Sequence, residues 1–169
     1  MITFSYKISD LTNNAQILSL IRANSMLEKG SENTVDDFSI SDEDEALVKK
    51  YLKTGAALIA HVLSGYARNL LDTDGVTELE AFEFDVTFDS VEHSFIFRVN
   101  MPETWPTSAM VLIDDAIKDG LENYVLYRIS KHKMIEGETY YLSFDDAVKS
   151  IRSYISRRTT TVIRAKNLF

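Results

Sequence analysis

The apolar positions of this chain change period several times, and each change marks an element. Ile2, Phe4, Tyr6 and Ile8 alternate with Thr3, Ser5 and Lys7, the two-residue period of a half-buried strand. A short helix is expected from about Thr12 to Asn24, with Ala15, Leu18 and Ile21 on its buried side. The stretch 28–41 is polar and acidic, carries Gly30, and reads as a loop. Ser41 followed by Asp44 matches a capping box, and acidic residues at that point suit the positive end of a helix dipole. The helix so started is predicted from about Asp42 to Leu71, because Val48, Leu52, Gly55, Ile59, Val62, Tyr66 and Leu70 recur at spacings of three and four. Gly55 and Gly65 each cost roughly 1 kcal/mol relative to alanine inside a helix. Close packing against another element, or a break near Gly65, is expected to account for them.

After a turn-rich link from Asp72 to Glu80 comes the clearest β signal. Phe82, Phe84, Val86 and Phe88 alternate with Glu83, Asp85, Thr87 and Asp89, and Phe95, Phe97, Val99 and Met101 alternate with Ile96, Arg98 and Asn100. Two such runs with a short connection predict an antiparallel hairpin with one apolar face, for which the long helices are the available cover. Pro102 and Pro106 flank Trp105 in a segment that continues neither strand nor helix. Thr107 or Ser108 then caps a second long helix ending near Lys131. Its apolar arc is wide: Met110, Ile113, Ile117, Leu121, Tyr124 and Val125, with Leu112, Ala116 and Tyr127 beside them. Such a helix is either central in its domain or buried on two sides, by its own core and by a partner. A loop around Ile135 to Tyr141 leads to a third helix, with Ser143 and Asp146 as its expected cap and Ala147, Val148, Ile151, Tyr154 and Ile155 as its inner face. The β-prone run Thr159-Thr160-Thr161-Val162-Ile163 predicts a frayed or strand-like arm that orders on a neighbour. The fold class is therefore α+β and predominantly helical: three to four helices packed on a β-hairpin, with the N-terminal segment as candidate third strand. One domain is expected over 1–158, with its acidic loop at 28–41, and a basic arm over 159–169.

A length of 169 residues suits one domain with a real core, and the absence of cysteine removes disulfides, thiolate metal sites and thiol nucleophiles. No apolar run approaches the roughly 20 residues that span a bilayer. The start MITFSYKISD lacks the features of a signal peptide, so no membrane contact and no export by that route are expected. The net charge of −8 argues against general nucleic-acid binding. The charge is unevenly placed, however. Glu32, Asp36, Asp37, Asp42, Glu43, Asp44 and Glu45 follow one another with no basic residue among them, and Arg152, Arg157, Arg158, Arg164 and Lys166 with no acidic one. These segments are either a solvated loop and tail or the two halves of a head-to-tail attraction between neighbouring copies.

Catalytic patterns are not found. His61, His93 and His132 form no HExxH or i, i+4 pair, and His132 with Glu136 and Glu138 falls at a helix end and in a loop. The six glycines make neither GxxxxGK[ST] nor GxGxxG, and no serine sits in a GxSxG elbow. Asp114-Asp115 and Asp145-Asp146 are expected in the first turns of helices, where they favour the dipole, and the run Asp42 to Glu45 lacks calcium-loop spacing. Tyr124, Tyr127, Tyr140, Tyr141 and Tyr154 are harder to bury as a group, since each hydroxyl needs a partner, so core and interface remain open for them.

The order of elements resembles the neck or head–tail connector proteins of tailed bacteriophages and prophages, especially those of Bacteroides and their relatives. The resemblance rests on Phe4-Ser5-Tyr6-Lys7-Ile8, on Val62-Leu63-Ser64-Gly65-Tyr66, and on Phe95-Ile96-Phe97 followed by Met101-Pro102. Leu112-Ile113-Asp114-Asp115-Ala116-Ile117 through Tyr124-Val125-Leu126-Tyr127 completes it. It implies a structural virion protein without an active site or cofactor, made in the host cytoplasm and resident in the neck. There a ring of about twelve copies would join the portal to the tail, with double-stranded DNA only passing through. Asp36, Asp37, Asp42, Glu43, Tyr124, Tyr127, Arg157, Arg158, Arg164 and Lys166 are the candidate contacts between copies. The alternatives are a small cytoplasmic regulator or immunity-type protein that caps one partner, and an enzyme whose site is assembled from dispersed Asp, Glu and Tyr.

Overall fold

A computed structural model describes residues 2–28, 35, 39–64, 70–71, 78–79, 84–99 and 107–166. In chain order the elements are β1 (Ile2–Lys7), α1 (Ile8–Glu28), a 3-10 turn (Asp42–Asp44), α2 (Glu45–Ser64), β2 (Leu70–Leu71), β3 (Glu78–Leu79), β4 (Phe84–Asp89), β5 (Ser94–Val99), α3 (Thr107–His132) and α4 (Glu138–Lys166). The fold is α+β and predominantly helical, with helices packed against a three-stranded antiparallel sheet of order β1-β5-β4.

The sheet follows from the two-residue alternation of its strands. Register places Ile2, Val99 and Phe84 in one cross-strand row, Phe4, Phe97 and Val86 in the next, and Tyr6, Phe95 and Phe88 in a third. These rows make one apolar face, and the helices close over it: Tyr6, Phe95, Phe97 and Val99 are buried. On the opposite face Arg98 donates to the Thr87 hydroxyl across the hairpin (3.0 Å). The hairpin turn is set by Asp89, whose carboxylate accepts from the Val91 (2.8 Å) and Glu92 (3.2 Å) amides. His93 completes it in the left-handed region (φ 49°), and its carbonyl accepts from Ile8 N–H (3.0 Å) where β1 passes directly into α1.

The third strand, the hairpin, the apolar stripe of α2 from Val48 to Ile59 and the inner face of α4 stand as the sequence predicts. Val48, Leu52, Gly55 and Ile59 lie along the buried side of α2, and Ala147, Val148, Ile151 and Ile155 along that of α4. Gly55 is needed for close approach: a Cβ there would lie 2.9 Å from Cδ1 of Tyr124. Helix α3 is the central element, packing against α1, α2 and α4. These neighbours enclose most of its wide apolar arc, while Leu112 and the adjacent Val111 stay exposed.

Several expectations are corrected. Helix α1 begins at Ile8, and its buried side is Ile8, Leu11, Thr12, Ala15, Ser19 and Ala23, while Leu18 and Ile21 face outward. Leu70 and Leu71 are not the end of the α2 helix but pair with Glu78 and Leu79 as a small ladder. Helix α4 starts at Glu138, so Ser143 does not cap it and instead donates to the Thr139 carbonyl one turn earlier (3.0 Å). The stretch from Thr159 to Lys166 is the end of α4 and helical, where a strand-like arm was one of the two expectations. Gly65, Trp105 and the acidic segment 29–34 lie outside the described residues.

Candidate functional site

The acidic residues expected at an interface separate into groups with different fates. Asp42 and Glu43 are exposed; Asp36 and Asp37 lie outside the described residues. Asp44 has an internal role. Its carboxylate accepts from the amide of Ser41 (3.0 Å), the return bond of a capping box, and from the Ser41 hydroxyl (3.2 Å), and it pairs with Lys133 (3.1 Å). Lys133 also donates to the Ser39 carbonyl (2.6 Å), so the end of the acidic loop is fastened to the α3–α4 turn. Partial burial alone would raise the Asp44 pKa, but the Ser41 and Lys133 contacts outweigh it and hold the carboxyl below its usual range.

The adjacent acid pairs are not in first turns, so the dipole explanation is replaced by specific partners. Asp114 accepts from the Tyr6 hydroxyl (2.7 Å) and from Lys118 (2.6 Å), tying β1 to α3. Burial first, then the Asp114 contact, pushes the Tyr6 phenol far up, so it remains a donor. Asp145 and Asp146 both pair with Lys149 on the outside of α4. Between α1 and α3, the buried Glu122 accepts from Asn14 Nδ2 (2.8 Å). Its pKa is raised by burial and by nearby Asp119, which exceed the opposing effects of Asn14 and Lys118. Asp119 is itself raised, by burial and then by Asp115.

The tyrosines divide the same way. Tyr124 is a core residue, packed on Gly55 and on the Phe144 ring (centroids 5.1 Å apart), so it is not available as a contact between copies. Tyr127 is half-buried at the α3–α4 corner, against the exposed Tyr141 (5.2 Å) and with Lys131 6.0 Å from its ring. Leu142, next along α4, is 60% exposed. Arg157, Arg158, Arg164 and Lys166 are on the last turns of α4, and their side chains lie outside the described part.

Sequence reasoning missed the most conspicuous surface. On α1, Ile17, Leu18, Leu20 and Ile21 are 55%, 39%, 43% and 61% exposed, whereas the buried side uses the small residues Ala15, Ser19 and Ala23. Contiguous exposed aliphatics of this kind mark interaction sites. A signal was present in the chain: between Asp10 and Glu28 the only charged residue is Arg22. Arg22 is turned inward, donating to the Glu136 carbonyl and lying 4.5 Å from the Tyr140 ring centroid. The outer face of α1 therefore carries no charge over its middle turns, the charge depletion expected of an interface core.

A second feature is a cleft of about 650 Å³ bounded by the first turns of α1, the first turns of α2 and the hairpin tip. Thr12, Gln16, Lys49, Lys53, Phe88 and His93 are among its walls, with Lys53 Nζ 4.3 Å from the Phe88 ring centroid. The Thr12 hydroxyl is buried and has no hydrogen-bond partner among the described residues. His132, Glu136 and Glu138 are exposed around the α3–α4 turn, and no group of three metal-ligating side chains occurs among the described residues. Among those residues, no helix is long and apolar enough to cross a membrane. Comparison with family models, curated proteins and solved structures finds no match to this chain.

Proposed function

We propose that this protein is a structural subunit that works by joining copies of itself and neighbouring proteins, as a ring component of a tailed-phage neck between portal and tail. The observation that carries the reading is the α1 outer face. A helix that turns Ile17, Leu18, Leu20 and Ile21 to solvent while burying Ser19 and Thr12 is built to be covered. The neck assignment adds the sequence resemblance, whose described residues fall on β1, the start of α1, the end of α2, β5 and α3, while Gly65, Tyr66, Met101 and Pro102 lie outside the described residues. The test is to mix the purified chain with a portal assembly, then measure mass by light scattering and look for rings by electron microscopy. The reading expects a ring of defined copy number that joins the portal. A chain that stays monomeric with portal present would overturn it.

The cleft beside Thr12 favours a second reading, a small regulator or immunity-type protein that receives a segment of one partner. A one-to-one complex with an unrelated protein, lost on replacing Lys49 and Lys53 with Glu, would replace the first reading by this one.

A further inference from the structure

We propose that one internal water molecule is bound where α1, the Ser39–Ile40 segment and the α3–α4 turn meet, and that it completes a clamp on the exit of the acidic loop. The inference goes beyond the assembly reading and does not depend on it.

The site begins with an unsatisfied donor. Arg22 turns inward, gives one N–H to the Glu136 carbonyl, and lies 4.5 Å from the Tyr140 ring centroid. Its other terminal nitrogen, Nη1, is buried and has no hydrogen-bond partner among the described residues. The guanidinium sits against the last turns of α3, so the negative end of that helix, rather than a carboxylate, faces its charge. A buried N–H of a charged group without an acceptor is costly, and such groups are nearly always completed by protein or by an ordered water.

Space for a water lies at the same point. A pocket of about 10 Å³ is walled by Ser19, Arg22, Ile40, Ile129, Ser130 and Tyr140, among others. That is close to the least volume one water requires, so nothing larger enters.

The donors and acceptors around the pocket then select the occupant. The Ser19 hydroxyl gives its hydrogen to the Gln16 carbonyl (2.7 Å) and accepts from the Ile40 amide (3.0 Å), which leaves it one lone pair. The Ser130 carbonyl is taken by the Ile135 amide (2.8 Å), so that residue offers its hydroxyl. An occupant joining Arg22 to Ser19 must accept from the first and donate to the second. A water does both. A halide cannot donate, and a cation cannot accept and would be repelled by Arg22. With the Ser130 hydroxyl as third partner, the water has the two to four polar contacts typical of buried waters.

The consequence is mechanical. Ile40 is buried, and its amide is held by the same Ser19 hydroxyl that the water reaches. Lys133 holds the neighbouring Ser39 carbonyl (2.6 Å) and Asp44 (3.1 Å). The chain leaving the acidic loop is thus gripped by a direct bond from Lys133 and by a water-bridged link through Ser19 to Arg22 and α3.

A crystal structure of the unsubstituted chain at about 1.5 Å should show a water within roughly 3.2 Å of both Arg22 Nη1 and the Ser19 hydroxyl. Amide hydrogen exchange followed by NMR reads the clamp. Ser130→Ala should speed exchange of the Ile40 amide about threefold, even though alanine is the better helix former. Arg22→Met, which keeps the apolar stem and removes the donors, should speed it about tenfold or more. The Leu121 amide, in the core of α3, should be unaffected in both. Without the water, Ser130→Ala removes no bond, and Ile40 should exchange as slowly as before or more slowly. That result overturns the proposal, as does a crystal structure in which no water occupies the position or Nη1 bonds a protein group. Circular dichroism checks that both variants are folded, and the crystal measurement needs neither of them.

Discussion

Helices α1 and α3 look alike by one measure, because in neither are the apolar residues concentrated on a single side. The causes are opposite. Helix α3 is enclosed by α1, α2 and α4, so Gly120, Leu121, Glu122, Tyr124, Val125 and Leu126 are all buried, around much of its circumference. Helix α1 lies at the edge, buries Ala15, Ser19 and Ala23 over its middle turns, and turns Ile17, Leu18, Leu20 and Ile21 outward. A weak amphipathic pattern therefore has two meanings: a helix covered by its own domain, or one still waiting for its cover. The difference is one of tertiary position, and substitutions at matched residues measure it.

The largest contrast is expected between Leu121 and Leu20. Leu121 is fully buried at the meeting of α3 with its neighbours, and Leu121→Ala should cost about 2–5 kcal/mol in a denaturant or thermal melt. Leu20→Ala, the same chemical change on the outer face of α1, should stay within about 0.5 kcal/mol and weaken self-association instead. Equal destabilisation by both would mean that α1 is packed more like α3 than its exposure indicates.

A middle-sized effect is expected where α2 crosses α3. Gly55→Ala would place a Cβ 2.9 Å from a ring carbon of the buried Tyr124, which has to shift, at a cost of about 1–3 kcal/mol. Gly120→Ala is the control on α3 itself. Its Cβ would meet Ile59 Cδ1 at 3.4 Å and Ala147 Cβ at 3.5 Å, near ordinary contact. The gain in helix propensity, about 1 kcal/mol, should make it neutral or stabilising. Thermal melts of the two variants should move in opposite directions or differ clearly in size.

The same contrast explains what was legible in the sequence. The strands were readable because Phe84, Val86, Phe95 and Phe97 keep a two-residue period that Ile96 alone interrupts, and a one-residue slip would expose the whole face. The α2 stripe and the span of α3 were readable because capping and period agree there. The buried side of α1 was not. Ala15, Leu18 and Ile21 fit a helical stripe as well as Leu11, Ala15, Ser19 and Ala23 do, and only the neighbouring α3, which admits small residues at close approach, decides between them. At the other end, Thr159 to Ile163 favour strand locally, but they continue a helix already nucleated from Glu138, and extending a helix is far easier than starting one. Of the candidate contacts, Tyr127 lies at the exposed corner and Tyr124 does not. Three residues along α3 separate them, enough to turn one ring into the core and leave the other at its margin.

The smallest effect is at the seam between the two compared helices, and it is read through pH. Burial and Asp119 raise the Glu122 pKa in the fold above the roughly 4.3 of an unperturbed glutamate, so the folded state prefers the protonated side chain. Above the raised folded value the charged carboxylate detracts from stability. As the pH falls through that value towards the unfolded one, the folded state takes up a proton first and gains stability relative to neutral pH. Glu122→Gln keeps an acceptor for Asn14 and removes the charge. It should raise stability at neutral pH by less than about 1 kcal/mol and flatten the dependence of Tm on pH in the weakly acidic range. Asn14→Ala, by contrast, should steepen that dependence, because the bond that favours the carboxylate is lost. If neither substitution changes the slope, Glu122 is solvated between α1 and α3, and the two helices are less closely joined than the 2.8 Å contact implies.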